Sequence, residues 1–150
     1  MNNMLNSKML MILVKKVVLN YKLNTSLLEL LSEGFIIYKG CYFLKSLHKI
    51  QGHINEFDFT DATGYECFIN SIHIDDYVDN DVLEQALLFS DSLINEWNAQ
   101  NNGLILKLIL SETDFGFNLK FHLRREKEDW INEKDINKFE EALIVFNSIR

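Results

Sequence analysis

The chain of 150 residues contains no proline, only six glycines and only two cysteines. No cluster of proline, glycine or serine marks a linker, so we expect a single domain over residues 1–150. Two cysteines are too few to form a disulfide scaffold for a chain of this length. Cys41 and Cys67 are therefore predicted to be buried thiols in a reducing compartment.

Long apolar runs are also missing. The run at residues 9–14 is interrupted by Lys15 and Lys16. A membrane-spanning helix needs about 20 apolar residues, and the apolar region of a signal peptide needs about 7–15. The sequence thus predicts a protein that stays in the cytoplasm.

Positive charge is scarce, because 15 Lys and Arg face 22 Asp and Glu, giving a formal net charge of −7. A general nucleic-acid binder needs a positive surface that displaces counterions. An anionic membrane likewise attracts basic segments. We therefore expect neither nucleic acid nor a membrane as a direct partner.

Catalytic motifs are absent from the sequence. There is no G-x-S-x-G, P-loop, G-x-G-x-x-G, H-E-x-x-H or C-x-x-C pattern, and nothing marks either cysteine as an activated nucleophile. His73 and His122 could approach each other across neighbouring strands, so a zinc site that includes Cys67 is one alternative. We expect His122 at the surface, no catalytic residue, no cofactor and no bound metal.

The N-terminal part of the sequence favours helices. Apolar residues spaced three and four apart predict an amphipathic helix over residues 10–21. Ser26 and Glu29 form a capping-box pattern. This pattern predicts a second helix that runs to Glu33, with Gly34 as its C′ residue.

Strands and a loop are predicted next. Aromatic and β-branched residues predict one strand over residues 35–43, straight or bent around Gly40. Residues 50–64 show little periodicity and are assigned to a loop. Residues 66–75 are predicted to form a further strand.

The longest helix is predicted over residues 81–99, where Asp79, Asn80 and Asp81 are three candidate N-caps. Apolar residues at helical spacing mark its inner face. They are Leu83, Leu87, Ile94 and Trp97, flanked by Val82, Ala86, Phe89 and Leu93.

Residues 104–110 are apolar on both faces except for Lys107, which predicts a central strand. From Phe115 to Leu123, apolar and polar residues alternate strictly. We expect an antiparallel hairpin over residues 104–124, whose second strand has one buried face and one face in solvent.

The C-terminal segment leaves one choice open. Asp135 can cap a final helix that reaches about residue 142. Residues 143–146 either continue this helix or form a last edge strand. The whole pattern predicts an α+β fold, an antiparallel sheet with the long helix and further helices packed mainly on one face.

Acidic residues are concentrated in the middle of the chain. Residues 50–106 contain no Lys or Arg, whereas residues 1–50 carry seven lysines against two glutamates. This segregation has two interpretations, a solvated acidic face or a docking surface for a basic partner. The segment without bases holds eleven acids: Glu56, Asp58, Asp61, Glu66, Asp75, Asp76, Asp79, Asp81, Glu84, Asp91 and Glu96.

Calcium is a further interpretation of the aspartates that precede the long helix. These are Asp75, Asp76, Asp79 and Asp81. They lack the D-x-D-x-D-G loop with glutamate at its twelfth position, so a calcium loop of that type is not predicted.

The C-terminal third resembles a known group of proteins. The stretch FNLKFHLRR at residues 117–125, EDW at residues 128–130 and D-I-x-x-F-E-E-A at residues 135–142 carry the resemblance. They resemble small bacterial immunity proteins of polymorphic toxin systems, including contact-dependent growth inhibition and the related neisserial secreted toxins. The resemblance covers about residues 103–146 and implies a protein that binds and neutralises a cognate toxin domain, often a nuclease.

The acidic segment agrees with this implication. A nuclease grips polyanions with a basic cleft, and an inhibitor can present carboxylates in place of phosphates, with fast, electrostatically steered association. We therefore predict a non-enzymatic immunity protein with a basic toxin domain as its partner. The predicted contact residues are Asp75, Asp76, Asp79, Asp81, Glu84, Asp58, Asp61 and Glu66. Some of them have a second interpretation as helix caps, because acids near a helix N-terminus stabilise it by roughly 0.3–1 kcal/mol each.

Two other classes of protein stay open. One is a small-ligand-binding or hydrolytic enzyme with a site between the helices and the sheet, which would use His73, His122 or Cys67. An enclosed pocket with converging polar groups would favour it. The other is a homo-oligomer that pairs through the strand at residues 104–110.

Overall fold

The structure, a computed structural model, describes residues 2–9 and 22–148. The helix expected over residues 10–21 lies outside these residues. Within the described ranges, no helix combines the length and apolar character needed to cross a membrane.

The described helices and strands form the predicted α+β fold. The α-helices are α1 (Thr25–Ser32), α2 (Lys45–Ile50), α3 (Ala62–Ile69) and α4 (Val82–Ala99). The strands are β1 (Asn2–Leu5), β2 (Phe35–Tyr38), β3 (Cys41–Leu44), β4 (Ser71–His73), β5 (Leu106–Glu112), β6 (Phe117–Leu123) and β7 (Leu143–Asn147). Short 3-10 helices lie at Glu56–Asp58, Ile74–Asp76 and Glu133–Lys138.

Five strands form one antiparallel sheet in the order β1-β7-β5-β6-β4. β5 and β6 make the predicted hairpin, with Leu106 opposite Leu123 and Glu112 opposite Phe117. β7 pairs with both β1 and β5, so residues 143–146 form an interior strand and not an edge strand. Because β5 has a neighbour on each side, the proposed pairing of two copies through this strand is wrong.

The main core lies between one face of the sheet and the helices α3 and α4. Phe121 of β6 and Trp97 of α4 both contact Phe35 edge-on. The ring centroid of Phe35 lies 6.2 Å from that of Phe121 and 5.2 Å from that of Trp97. α4 lies within one residue of its predicted bounds, since apolar spacing over eighteen residues is a strong signal. Asp81 takes the N-cap position, but with φ +57° and without a side-chain capping hydrogen bond.

The other face of the sheet is covered, contrary to the prediction of a solvent face. Ile131 and Ile136 pack there against Ile109 of β5 and against β7. His122 is buried on this face, opposite Lys107 in the β5–β6 register. The segment that contains Ile131 and Ile136, here called the covering segment, has no regular apolar period, so the sequence pattern could not reveal it.

The strand predicted over residues 35–43 is a hairpin of β2 and β3. Lys39 (φ +51°) and Gly40 (φ +77°) form its two-residue turn. Two successive residues with positive φ reverse the chain with a twist that matches the flanking strands. Gly40 therefore marks a reversal and not a bend.

The strand predicted over residues 66–75 is largely wrong, because residues 66–69 belong to α3. Asp61 caps this helix, and its Oδ1 accepts a hydrogen bond from the Gly64 N–H at 2.7 Å. Only Ser71–His73 forms a strand.

The remaining helix ends differ in their caps. α1 begins after Asn24, whose side chain accepts from the Ser26 N–H at 2.8 Å, so the predicted capping by Ser26 is wrong. Gly34 follows α1 with φ +70°, as predicted. The final helix from Asp135 to residue 142 is replaced by a shorter 3-10 helix, with Asn132 accepting from the Lys134 N–H at 3.1 Å.

Side chains of α3 join the β2–β3 hairpin to the main sheet. Glu66 Oε2 accepts from the Tyr42 N–H at 2.7 Å, and Asn70 Oδ1 accepts from the Leu44 N–H at 3.1 Å. Asn70 Nδ2 donates to the Tyr42 carbonyl at 2.9 Å. The side chains of Glu66 in α3 and of Asn70, the C-cap residue of that helix, thus form hydrogen bonds with the edge of β3 in place of a neighbouring strand.

Candidate functional site

The predicted contact residues separate into two exposed groups and one interior residue. The first group, here called the helix-approach surface, precedes and begins α4. It consists of Asp75, Asp76, Asp79, Asp81 and Glu84. Asp76, Asp79 and Asp81 are exposed, whereas Asp75 and Glu84 are partly buried.

Asp75 connects the helix-approach surface to the turn between β5 and β6. Its Oδ1 accepts from the Phe117 N–H at 3.2 Å. The backbone of Gly116 passes so close that a Cβ there would lie 2.6 Å from the same oxygen. Only glycine fits this approach, so Gly116 fixes the turn against Asp75.

Phe115 stands at this turn with 87% of its surface exposed. Thr113 Oγ1 accepts from the N–H groups of Phe115 (3.3 Å) and Gly116 (3.1 Å), which holds the turn in shape. The sequence prediction placed Phe115 in the core as the first member of the alternation, and this is wrong. The signal that was missed is local: Asp114 before it and Gly116 after it are turn residues.

The second group lines a surface cleft of about 340 Å³, here called the Trp130 cleft. Its lining consists of Asp58, Phe59, Thr60, Asp61, Thr63, Gly64, Asp129 and Trp130. The Trp130 side chain is 47% exposed, and Lys120 Nζ lies 5.8 Å from the centre of its ring. Sequence reasoning identified Asp58 and Asp61 but placed neither Asp129 nor Trp130 beside them.

Basic side chains leave most of these carboxylates without a counter-charge. Lys39 reaches the acidic segment and pairs with Glu56 at 3.1 Å. Asp58, Asp61, Asp76, Asp79 and Asp81 form no ion pair with any Lys or Arg in the described part of the chain. No described Lys or Arg therefore neutralises these five carboxylates through a direct ion pair.

Glu66 is not a surface contact residue, because its side chain is 0% exposed. Its carboxylate pairs bidentately with Arg125, at 2.6 and 2.9 Å, and also accepts from the Leu123 N–H at 2.9 Å. Together with the bond from Tyr42 N–H, this ties α3, β3 and β6 to one carboxylate. Glu66 therefore has a structural role, which is to connect α3 with β3 and β6.

The residues of the enzyme hypothesis are not brought together. His73 and His122 lie on the sheet face away from the α-helices, and His73 stands opposite Asn118, four residues along β6 from His122. Among the described residues, no group of three or more His, Cys, Asp or Glu side chains could hold a metal ion. The zinc site of His73, His122 and Cys67 is therefore not formed.

Both cysteines are buried free thiols, as predicted. Burial raises the pKa of Cys41 to about 11 and that of Cys67 to about 12. A thiol with such a pKa is protonated at neutral pH and is a poor nucleophile.

His122 is buried as a neutral ring. Its Nδ1–H donates to the Leu123 carbonyl at 2.7 Å, and its Nε2 has no hydrogen-bond partner in the described part of the chain. Burial lowers the pKa of His122, and the charge of Lys107 lowers it further.

Two further clefts lie on the surface beside the Trp130 cleft. One, of about 360 Å³, is lined by charged residues between Lys107 and Lys134. The other, of about 540 Å³, lies between residues 111–114 and Glu140 and Glu141. None of these three clefts lies between the α-helices and the sheet.

Comparison with known proteins places the chain in a family. Residues 4–150 match the family described as the Uncharacterized protein PM0498 family. The chain is also 32% identical over 134 residues to the Uncharacterized protein PM0498 of Pasteurella multocida strain Pm70. The aligned region covers 82% of this chain and 83% of that protein. No solved structure matches the chain.

Proposed function

This chain belongs to the PM0498 protein family, and we propose that it is an immunity protein. In this proposal it is a non-enzymatic protein of the cytoplasm that binds and neutralises a basic, nuclease-type toxin domain. The observation that carries the proposal is the helix-approach surface, where Asp76, Asp79 and Asp81 are exposed and form no ion pair with any Lys or Arg of the described residues. Asp75 of this surface also binds the turn that carries the exposed ring of Phe115.

The chemistry of this surface suits a protein partner. Exposed carboxylates attract a basic cleft over a distance of about a Debye length and accelerate its encounter. A large exposed aromatic ring, such as that of Phe115 on the turn bound by Asp75, provides the apolar contact that usually supplies most of the binding free energy. Charge would then determine which partner approaches, and Phe115 would hold it.

The positions of the thiols and histidines favour binding over catalysis. Cys41 and Cys67 are protonated and buried. His122 is enclosed under the covering segment, on the other face of the sheet from the α-helices. The rival enzyme needed these groups to converge in a pocket, and they lie in separate parts of the fold.

A growth-protection assay tests the proposal. If a large secreted protein is encoded beside this chain, its C-terminal domain is expressed in bacteria, alone and together with this chain. We expect growth arrest without the chain and growth with it, together with a complex that elutes as one species in size-exclusion chromatography. Growth arrest that persists despite full expression of the folded chain would contradict the proposal.

A further inference from the structure

The Trp130 cleft is a second place where exposed carboxylates gather. It differs from the helix-approach surface because it is a cleft, with an indole ring in its lining. One side of the cleft holds Asp58 and Asp61, which precede α3. The other side holds Asp129 and Trp130, which follow β6. Its volume of about 340 Å³ admits one long side chain of a partner.

Backbone hydrogen bonds hold the two carboxylates of the first segment in place. Asp58 Oδ2 accepts from the Asn55 N–H at 3.2 Å, and Asp61 Oδ1 accepts from the Gly64 N–H at 2.7 Å. The other oxygen of each carboxylate takes no hydrogen bond from the described part of the chain. Groups that are already fixed lose little conformational entropy when a ligand binds.

The ring of Trp130 already contacts a cation of the protein itself. Lys120 Nζ lies 5.8 Å from the ring centre, within the range in which an ammonium is attracted to the face of an indole. This contact shows that the ring attracts a positive charge. Of the three carboxylates, Asp129 already pairs with Lys107 at 3.4 Å, so Asp58 and Asp61 are the two that remain for a ligand. Lys120 also competes with a ligand, because its positive charge repels a cation that approaches the same ring.

We propose that the Trp130 cleft binds an arginine side chain of the basic partner, an inference that rests on the proposed function. A guanidinium is planar, so it stacks on an indole while its N–H groups donate to a carboxylate. The ammonium of lysine is a compact, strongly hydrated charge that cannot stack. An aromatic ring beside fixed carboxylates therefore matches arginine better than lysine.

The probe is a blocked triarginine peptide, titrated into the intact protein and compared with a peptide in which citrulline replaces each arginine. The chain has two tryptophans, whose indole N–H signals are followed by NMR. Trp97 is 1% exposed and donates its indole N–H to the Leu104 carbonyl at 3.0 Å, so its signal is the internal reference. We expect triarginine to shift the Trp130 signal saturably and the citrulline peptide to leave it unchanged.

Variants assign the binding to the cleft. The double change Asp58→Asn and Asp61→Asn keeps the capping acceptors but removes both charges, so it should weaken triarginine binding about fivefold. The matched control, Glu29→Gln with Glu96→Gln, removes two exposed charges elsewhere and should leave the affinity unchanged. Lys120→Met should strengthen binding, because it removes the competing cation.

Equal affinity of the Asn double variant and the parent would overturn the cleft proposal, as would equal binding of the citrulline peptide. The growth-protection assay separates this failure from that of the proposed function. Protection without any triarginine shift at Trp130 would overturn the cleft proposal alone. Triarginine binding with the expected dependence on Asp58 and Asp61, but without protection of growth, would overturn the immunity function and leave the cationic site standing.

Discussion

Single polar side chains join separate parts of this fold, and Glu66 is the clearest case. Taking a carboxylate out of water is favourable only when hydrogen bonds and a counter-charge replace the water. Glu66 receives both, from two backbone N–H groups and from the fork of Arg125. The sequence could show that Glu66 is acidic, but its partners are 24, 57 and 59 residues away, so no local pattern reveals its burial.

Replacing Glu66 with Gln should lower the free energy of unfolding by about 3–5 kcal/mol, because Arg125 would remain partly buried without its counter-charge. Urea unfolding followed by circular dichroism measures the change. Glu96→Gln, an exposed acid on α4, should change stability by less than about 0.5 kcal/mol. A loss below about 1 kcal/mol for Glu66→Gln would contradict the role assigned to this ion pair.

His122 should make stability depend on pH. Burial holds its pKa below the ordinary value of 6.5, so below that pH the unfolded chain binds a proton that the folded chain excludes. The unfolding free energy should therefore fall as the pH falls from 6.5 towards the lower pKa of the folded state, with a slope of at most about 1.4 kcal/mol per pH unit for this one group.

Urea unfolding at several pH values measures this slope for the parent and for His122→Gln. The variant should lose that part of the slope, and His53→Gln, which changes an exposed histidine, should keep it. Equal slopes for the parent and His122→Gln would show that His122 does not exclude the proton.

At the scale of elements, the alternation in β6 was predicted correctly for its buried apolar set, but wrongly at its start and wrongly for its second face, which is covered and not in solvent. Phe121 is buried and contacts Phe35, so Phe121→Ala should cost about 3–5 kcal/mol through lost burial and a cavity. Phe115→Ala, which precedes the strand, should change stability by less than about 0.5 kcal/mol. Urea unfolding compares the two variants, and equal losses would contradict the assignment of Phe115 to a surface turn.

The elements that the sequence predicted are those whose signal is local and long. α4 and the β5–β6 hairpin have apolar periods sustained over many residues. Residues 66–69 of α3 were predicted as part of a strand because Phe68, Ile72 and Ile74 alternate on one face, whereas the helical state is fixed by the Asp61 cap and by bonds to β3. The Trp130 cleft was missed because its two sides lie 65 residues apart, as the bond from Thr63 N–H to Glu128 illustrates.

At the scale of the whole molecule, the net charge of −7 is less informative than its placement. Replacing Asp76 and Asp79 together with Lys should slow association with the toxin domain and weaken growth protection, since both carboxylates are exposed and neither forms an ion pair with a Lys or Arg among residues 2–9 and 22–148. The matched control is Glu29→Lys with Glu96→Lys, which changes the net charge equally.

Stopped-flow binding at two salt concentrations measures the effect. The parent rate should fall steeply with salt, and the Asp76→Lys and Asp79→Lys variant should be slower than the control at low salt. Equal rates for this variant and the control would reject the helix-approach surface as the contact surface.

The position of β7 has a consequence for biosynthesis. β1 has β7 as its partner in the sheet, and Asn2 stands opposite Asn147. On the ribosome, β1 stays unpaired until β7 has emerged. One edge of β5 also stays unpaired until then, because β7 is its partner on that side. Such distant pairing is slow and leaves strand edges exposed to other nascent chains. The sheet therefore closes only after β7 has emerged, and a stalled or truncated chain that lacks β7 would present two open edges.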